Sequence, residues 1–513
     1  MLDLRFVFMA RFNSLPTELL IRIVDFVATP TGGHAEQQPH SDTASCRQLK
    51  EEPSYRGLSY SDIALASTPT PDTQSLQSLR LVSRTFNKLS TPLLFSVIRV
   101  LPLETSAQHY TNILSSSLNP LVKKTIFQTQ LKPNEYLDCD PGEIWNSPDP
   151  YLLDCMSEVS RFKNLTHAEL IFSSICCAED EYWDGTPEIP ANRNAALFHF
   201  YASLVKAEKV ISLSIENLQN ISPEELKEKP REWARNKTFK RDFQTVMQRI
   251  KHLSLGIATE VDVSEEPTGT LLDSEIHHFF NYELSNYWIA PIAANLEYLK
   301  LYCNKEVYWG FFPACDLPVL PMLKTLVLGN VSFVSEKQMQ WILEHAKTLE
   351  ELILDNAMIG IAVDIEEFEV DVVSHTVLYE MEYPWYPYGG YQPKERSDLL
   401  KPHRWLNETR WHHLFRRFQE GLPKLKHFAI NHSHWDDRAF EHADDLSNAL
   451  KEERYAMFKK HYWMSFADYN AQAFVFKKWE GDEEDRLLIE KPDCDEEDWQ
   501  ALNELLDKLR RGR

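Results

Sequence analysis

The chain has 513 residues, 43% of them hydrophobic, which is enough for several domains and a sizeable core. Its formal net charge of −23 argues against non-specific nucleic-acid binding, because phosphate contacts require clustered lysine and arginine. Only 15 glycines are present. No Gly-x-Gly-x-x-Gly, phosphate-loop, Gly-x-Ser-x-Gly or His-Glu-x-x-His motif occurs, so the common enzyme signatures are excluded.

The eight cysteines include no Cys-x-x-Cys spacing, which is typical of reduced thiols rather than of a zinc finger or a RING. The apolar run at the start, Phe6 to Ala10, is too short for a signal-peptide core. No stretch approaches the ~20 apolar residues that a membrane span needs. We therefore expect a protein of the cytoplasm or nucleus that contacts no membrane.

The first predicted element is an amphipathic helix of about three turns that begins at Leu15-Pro16. A proline is favoured in the first turn of a helix, where its missing N–H leaves no hydrogen bond unmade. Leu19, Leu20 and Ile23 then recur at helical spacing. The segment that follows, residues 29–73, is rich in Pro, Ser, Thr and Gly and is predicted to be a flexible insert.

A second amphipathic helix is predicted from Leu76 to Leu89, with Val82 and Phe86 on its apolar face. Pro92 should end it, because a proline disrupts the hydrogen bonds of a continuing helix. Val97 to Val100 has the pattern of a short strand.

These two blocks resemble the F-box in its form common among fungal proteins. The matching residues are Leu15, Pro16, Glu18, Leu19, Leu20, Leu79, Leu81, Val82, Ser83, Arg84, Phe86, Asn87, Leu89, Pro92, Leu93, Leu94 and Phe95. The resemblance implies a small all-α module over residues 13–100 that binds a Skp-type adaptor and, through it, a cullin–RING (SCF) ubiquitin ligase. Carried over residue by residue, the adaptor-binding set is Leu15, Pro16, Leu19, Leu20, Leu81, Val82, Ser83, Phe86 and Pro92. The insert at about 29–73 is longer than the family's usual gap.

After a connector over residues 101–160, the pattern apolar-x-x-apolar-x-apolar recurs. It occurs seven times, at Leu165-Ala168-Leu170, Val210-Leu213-Ile215, Ile250-Leu253-Leu255, Leu296-Leu299-Leu301, Leu323-Leu326-Leu328, Leu349-Leu352-Leu354 and Leu425-Phe428-Ile430. The alternation at its end indicates a short strand with one buried face. The pattern resembles the strand of a leucine-rich repeat, and the resemblance implies an irregular α/β solenoid over residues 161–435.

The spacing of the repeats supports this interpretation in one place and departs from it elsewhere. Leu296, Leu323 and Leu349 are spaced by 27 and 26 residues, within the expected ~20–29. A helix is predicted between the last two, from Glu336 to Lys347. The other gaps are about 40 residues or more, and Asn330 and Asn356 lie one residue short of the position that the repeat requires. The alternative is another α/β domain with ordinary buried strands.

The rest of the chain carries weaker signals. Tyr383 to Tyr391 is an aromatic and proline-rich insertion, for which a loop folded back on its own domain is favoured over a substrate-contact loop. His427, His432, His434, Asp436 and Asp437 form a cluster, interpreted as a polar strand end rather than a metal site because no further ligand is evident. A helix with a buried aromatic stripe is predicted from about Arg404 to Glu420.

Residues 436–513 are predicted to be a C-terminal cap. It includes a helix from about Glu497 to Arg510 and an acidic stretch, residues 480–499. Solenoid ends need covering, which is the expected role of that helix. The acidic stretch is interpreted as a solvated surface in preference to a docking site for a basic partner.

The sequence as a whole predicts a substrate-recognition subunit of an SCF ubiquitin ligase. It would bind a Skp-type adaptor through the F-box and an unidentified substrate protein through the repeats, without catalytic residues, cofactor or metal of its own. Its partners would carry out ubiquitin transfer. The first alternative is a non-ligase scaffold with a degenerate F-box, which the long insert keeps open. An enzyme of unrecognised type is the second alternative, and buried, paired titratable groups in a pocket would favour it.

Overall fold

The computed structural model describes residues 16–28, 73–131, 148–176, 188–227, 238–258, 279–303, 317–334, 336–365, 403–431, 454–459 and 492–512, and the short strands 370–371, 376–377, 392–393, 464–466, 473–474 and 489–490. Its architecture is mixed α/β, as predicted, and contains a sheet of nine parallel strands. Within these ranges, no helix combines the length and the apolar character that crossing a membrane requires.

Three helices precede the sheet: α1 (Thr17–Ala28), α2 (Thr73–Val82) and α3 (Arg84–Leu94). The single helix predicted from Leu76 to Leu89 is therefore two helices, which meet at Ser83. Ser83 has extended backbone, and its hydroxyl accepts a hydrogen bond from the Phe86 N–H at 3.2 Å, which caps α3. Pro92 lies inside α3 and does not end it.

The nine strands of the long sheet pair with their neighbours in chain order and run parallel throughout. They are β1 (Val97–Val100), β2 (Lys124–Gln128), β3 (His167–Ile171), β4 (Ser212–Gln219), β5 (His252–Ala258), β6 (Tyr298–Cys303), β7 (Thr325–Gly329), β8 (Glu351–Asp355) and β9 (His427–Asn431). The seven strands predicted from the recurring motif are all present. The sheet begins earlier than predicted, however, because β1 lies in the stretch assigned to the F-box and β2 in the supposed connector.

The leucines of the motif are in register from strand to strand. Leu213, Leu253, Leu299, Leu326 and Leu352 form one continuous row of paired, buried residues, and the next inward-facing positions form a second. A shift by one residue would move every leucine of a strand to the opposite face. Burial of these two rows therefore determines the register of the sheet.

Helices and helical turns connect the strands and pack on the leucine face of the sheet. They are α4 (Glu104–Leu114), Asn119–Leu121, α5 (Pro150–Ser157), Val159–Arg161, α6 (Pro190–Leu204), Glu224–Leu226, α7 (Phe239–Met247), the π-helical Phe279–Ile289, Ala290–Ile292, α8 (Glu336–Glu344) and α9 (Trp411–Gly421). One buried hydrophobic cluster joins them to the strands. Aromatic rings extend through it: Tyr201 lies 4.8 Å from Phe243, and Phe243 lies 5.3 Å from Trp288 between ring centroids.

Asparagines connect neighbouring turns at the ends of the strands. Asn217, Asn330 and Asn356 have φ angles of 60°, 51° and 50°, a left-handed conformation that asparagine tolerates better than most residues. The Asn330 amide donates to the Cys303 carbonyl at 2.5 Å, and its oxygen accepts from the Asn356 amide at 2.6 Å. Asn330 and Asn356 therefore link the ends of β6, β7 and β8, although they lie one residue short of the expected position.

A second sheet lies beyond β8. Its central strand, Met358–Ile365, pairs with Ser332–Phe333 and Tyr455–Lys459 in parallel and with His403–Leu406 in antiparallel orientation, and Gln392–Pro393 and Met464–Phe466 complete it. Two further pairs are Val370–Asp371 with Thr376–Val377 and Ala473–Phe474 with Ile489–Glu490. The helix predicted from about Arg404 is thus a strand there, and α9 begins only at Trp411.

The C-terminal helix α10 (Asp495–Arg511) packs on α9. Gln419 donates to the Glu504 carbonyl at 3.3 Å, and Lys508 donates to the Gln419 carbonyl. Part of the acidic stretch is not solvated, because Asp498 is fully buried and Asp495 forms an ion pair with Arg454. Those two acidic residues attach α10 to the rest of the protein.

We predict that Gly329→Ala destabilises the long sheet. An alanine Cβ at this position would lie 2.0 Å from the Tyr302 ring, and that ring is fixed because its hydroxyl donates to Asp355 at 2.7 Å. Overpacking of this kind lowers the free energy of unfolding by about 1–3 kcal/mol, measurable by urea denaturation. The control is Gly512→Ala, whose Cβ would meet its nearest atom at 3.6 Å. Equal stability of the two variants would contradict the prediction.

Candidate functional site

The three N-terminal helices form a small core of their own. Leu20, Val24, Leu76 and Phe86 are buried in it, and Ile23, Leu79, Leu89, Leu93 and Leu94 pack against them. Leu20 and Phe86 were both predicted to contact an adaptor. In this structure both side chains are buried and pack between α1 and α3, so they have little surface of their own to offer a partner.

Large apolar side chains lie exposed at the beginning of α1 and at the end of α2. Leu19 is 45% exposed, Ile21 42%, Leu81 88% and Val82 37%. Leu19, Leu81 and Val82 belong to the predicted adaptor-binding set, whereas Ile21 was missed. Ile21 lies off the apolar stripe of α1, and an apolar residue on the polar side of an amphipathic helix is the signal that could have identified it.

The other predicted residues of this set have different positions. Pro16 and Pro92 are exposed. Ser83 is half-buried and acts as the cap of α3. Leu15 lies outside the described residues, as does the insert from 29 to 72. The exposed, described members of the predicted set are therefore Pro16, Leu19, Leu81, Val82 and Pro92.

Side chains of the second block stabilise the junction of α2 and α3. Arg80 donates to the Asn87 side-chain oxygen at 3.3 Å, and its guanidinium lies 5.3 Å from the centre of the Phe95 ring. The Thr91 hydroxyl donates to the Asn87 carbonyl at 2.6 Å. These contacts fix the angle at which α2 ends, and with it the position of Leu81 and Val82.

A second candidate surface is the polar face of the long sheet, opposite the leucine rows. We define the polar face by the residues at positions one, three and five of each strand. Its members on β2 to β8 are Lys124, Ile126, Gln128, His167, Glu169, Ile171, Ser212, Ser214, Glu216, His252, Ser254, Gly256, Tyr298, Lys300, Tyr302, Thr325, Val327, Gly329, Glu351, Ile353 and Asp355. Side chains on a strand alternate between faces, so these residues lie together on the face opposite the leucines. Fifteen of the 21 are buried and the other six are half-buried.

Charged groups on the polar face are paired across strands. Lys124 Nζ lies 2.6 Å from a Glu169 carboxylate oxygen, and Lys300 Nζ lies 3.7 Å from Glu216. Burial raises the pKa of Glu169, but the Lys124 ammonium outweighs it, so this pKa lies below its ordinary value. Among the described residues, these pairs place cations and anions side by side instead of collecting one sign of charge.

An aromatic cluster occupies the polar face over β6 to β8. Tyr298, Tyr302 and Val327 are buried, and Ile353 packs against them. The Tyr302 hydroxyl donates to Asp355, two strands away, across Gly329, which lacks the side chain that would block it. Lys300 Nζ lies 5.1 Å from the Tyr302 ring centre. The two rings therefore stabilise this end of the sheet, and Lys300 is the half-buried charge beside them.

His167 is an uncharged histidine within the polar face. Its Nδ1 lies 2.7 Å from the Thr166 hydroxyl, while its Nε2 is buried without a hydrogen-bond partner among the described residues. Burial, together with the nearby Lys124 ammonium and His252, lowers the pKa of His167 to about 4. At neutral pH this side chain therefore adds no charge to the surface.

The predicted histidine cluster is only partly visible. His427 begins β9, with Nδ1 3.9 Å from a Glu351 oxygen, whereas His432, His434, Asp436 and Asp437 lie outside the described residues, as does the aromatic segment Tyr383–Tyr391. A different group with metal-ligating atoms close together is formed by His412, Cys494 and Asp498. No local sequence pattern marks this group, because His412 and Asp498 are 86 residues apart.

Comparison of the chain with models of known protein families gives no match, and comparison with curated proteins gives none. Two parts of the molecule are functional candidates. One is the small helical module with exposed apolar residues, and the other is the polar face of the parallel sheet.

We predict that truncation of two apolar residues of the module changes its stability by very different amounts. Phe86→Ala removes a buried ring from its core and should lower the free energy of unfolding by about 3–5 kcal/mol. Leu81→Ala should change it by no more than about 0.5 kcal/mol, because Leu81 is exposed. Proteolysis of the N-terminal helices reports on both variants. A large loss of stability in Leu81→Ala would show that this residue is part of the core.

We predict that His167 contributes to acid sensitivity. Its pKa in the folded protein, about 4, lies below the unfolded value of about 6.5. The unfolded state therefore binds the proton first, and stability falls as pH drops from about 6.5 to about 4. Urea denaturation should show a smaller fall for His167→Gln than for the wild type. His199→Gln, which changes an exposed histidine, should follow the wild type; identical curves for all three would refute the assignment.

Proposed function

We propose that this protein is a substrate receptor of an SCF ubiquitin ligase, with residues 16–28 and 73–94 acting as its F-box. The observation that carries the proposal is the exposure of Leu19, Ile21, Leu81 and Val82 on a helical module whose own core is already closed. Exposure of so many large apolar side chains on one small module is characteristic of a binding surface.

The energetics of such a surface support a stable complex. Burying one leucine, isoleucine or valine side chain stabilises an assembly by roughly 1.5–3 kcal/mol. Leu19, Leu81 and Val82, together with Pro16 and Pro92, would supply the core of this interface. Ile21 lies on the other side of α1 from Leu19 and would lie outside it. Residues 73–94 contain no aspartate or glutamate, so the partner surface proposed for them is an apolar groove, as the resemblance to the F-box implies for a Skp-type adaptor.

We propose that the nine-stranded sheet is an irregular leucine-rich-repeat solenoid. Three observations support this: the motif pairs in register over successive strands, Asn330 and Asn356 link neighbouring turns, and paired positions of β6, β7 and β8 recur every 26 or 27 residues. In a solenoid the faces of the stacked strands form one extended surface. The substrate protein would then bind on the polar face, in the cytoplasm or the nucleus.

The alternative is a protein-interaction scaffold that recruits no ligase. The long segment between α1 and α2, residues 29–72, favours it, since such an insert can crowd the adaptor. Both proposals use the polar face for a partner protein, and neither assigns a catalytic residue. They differ in whether the N-terminal module binds a Skp-type adaptor.

We predict that the full chain co-purifies with a Skp-type adaptor and that Val82→Asp or Leu81→Asp abolishes the complex. An unpaired charge in a patch that is desolvated on binding costs about 2–5 kcal/mol, which lowers affinity at least about thirtyfold. The matched control is Leu131→Asp, which puts the same charge on another exposed leucine, outside the module. Co-purification and circular dichroism measure binding and folding.

The outcomes separate the two proposals. Binding by the wild type and by Leu131→Asp, and its loss in the folded Val82→Asp variant, supports the ligase receptor. Failure of the folded wild type to bind favours the scaffold. Deletion of residues 29–72 then tests the insert: recovered binding would show that it blocks an intact F-box, whereas continued failure would reject the F-box assignment.

A further inference from the structure

A buried polar cluster lies where α10 meets the beginning of α9. Asp498 accepts hydrogen bonds from the His412 backbone N–H at 2.9 Å and from the Tyr455 hydroxyl at 2.8 Å. His412 Nδ1 lies 2.8 Å from Asp498 Oδ1, and Cys494 Sγ lies 3.5 Å from Asp498 Oδ2. The ligand atoms of His412, Cys494 and Asp498 all lie within 4.8 Å of one another.

The buried carboxylate of Asp498 is the central charge of this cluster. Asp498 is 0% exposed, and a buried carboxylate is costly unless a cation or several hydrogen bonds accompany it. Within the described part of the chain, the ion-pair partner of Asp498 is His412, which is charged only when protonated, and the neighbouring Arg454 pairs with Asp495. The positive end of α9 and the hydrogen bonds to His412, Tyr455 and Cys494 offset the cost of burial. A divalent cation bound by Asp498 and His412 would supply positive charge without a protonated imidazole.

We propose that His412, Cys494 and Asp498 bind Zn²⁺. Imidazole nitrogen, thiolate sulfur and carboxylate oxygen are the three protein ligand types of zinc, and a mixed set of them favours it over magnesium or calcium, which select oxygen. Tetrahedral bonds of about 2.0–2.3 Å place ligand atoms roughly 3.3–3.8 Å apart. The 3.5 Å between Cys494 Sγ and Asp498 Oδ2 lies in this range, whereas His412 Nδ1, 2.8 Å from Asp498 Oδ1, would have to move away from that oxygen. Binding transfers the thiol proton of Cys494 to solvent.

The surroundings supply the outer contacts that such a site needs. The Tyr455 hydroxyl, 2.8 Å from Asp498 Oδ2 and 3.3 Å from Cys494 Sγ, orients both ligands, and it also accepts from the Trp411 N–H at 3.2 Å. Outer contacts of this kind fix the orientation of ligating side chains. Three protein ligands leave a fourth position for water.

The proposed ion would attach the C-terminal helix to the end of the long sheet. His412 belongs to α9, which lies immediately before β9, whereas Cys494 and Asp498 belong to the beginning of α10. An ion held between them would link two segments of the chain that are 86 residues apart. The site does not involve the N-terminal module, so the zinc proposal can be tested independently of the proposed function.

Cobalt titration of the purified full chain tests the site. After treatment with a chelator, the wild type should bind one equivalent of Co²⁺ and show a thiolate-to-cobalt charge-transfer band in the near ultraviolet, and Zn²⁺ should displace it. Cys494→Ser and His412→Asn keep groups that can hydrogen-bond to Asp498 but replace the zinc ligands. Both should lose the band. Cys155→Ser, at another buried free cysteine, is the matched control and should keep it.

The wild-type titration alone decides the outcome if a variant does not fold. Absence of the charge-transfer band in the folded wild type overturns the proposal, as does a band that persists in Cys494→Ser. Thermal unfolding gives a second measurement: Zn²⁺ should raise the melting temperature of the wild type and of Cys155→Ser, and leave Cys494→Ser unchanged. An equal shift in all three would show zinc binding elsewhere and would also reject this site.

Discussion

The in-register pairing of nine parallel strands is the constraint on which the rest of the structure depends. The two buried rows of apolar residues admit one register, because any slip by one residue would expose them. Once this register is set, the length of a connection matters little, since loop closure costs only slightly more as a loop grows. Strands 26 residues apart, such as β7 and β8, and strands separated by a whole second sheet, β8 and β9, therefore pair in the same way.

In the N-terminal module, residues that stabilise the core lie directly beside residues that remain exposed. Leu19 and Leu20 are adjacent and both apolar, yet one is 45% exposed and the other is in the core. Leu81 and Phe86 differ in the same way on either side of the Ser83 cap. A helix presents neighbouring residues about 100° apart, so which of two leucines remains free depends on where the next helix packs.

Sequence periodicity predicted seven of the nine strands of the sheet and missed the two at its N-terminal end as members of the sheet. It found seven strands, because an apolar residue at each of three fixed positions is a strong pattern. Thr125 interrupts that pattern in β2, and β1 was assigned to a different module. It also placed α8 and α10 to within a few residues. It failed at His403–Leu406, where an apolar stripe suited a helix but pairing with Met358–Ile365 favoured a strand. Backbone hydrogen bonds to a distant segment outweighed local preference there.

The sequence by itself determined the mixed α/β class, the leucine rows and the existence of an amphipathic module before them, because each of these is a local pattern of apolar residues. Tertiary structure decided which residues of the module stay exposed, how the polar face is assembled, and the burial of Asp498 within a stretch that composition marks as solvated. Those features require groups far apart in the chain to meet: Tyr302 reaches Asp355 across an intervening strand, and His412 meets Asp498 over 86 residues. No local pattern records such a contact, because its energy arises only when folding brings both partners out of water together.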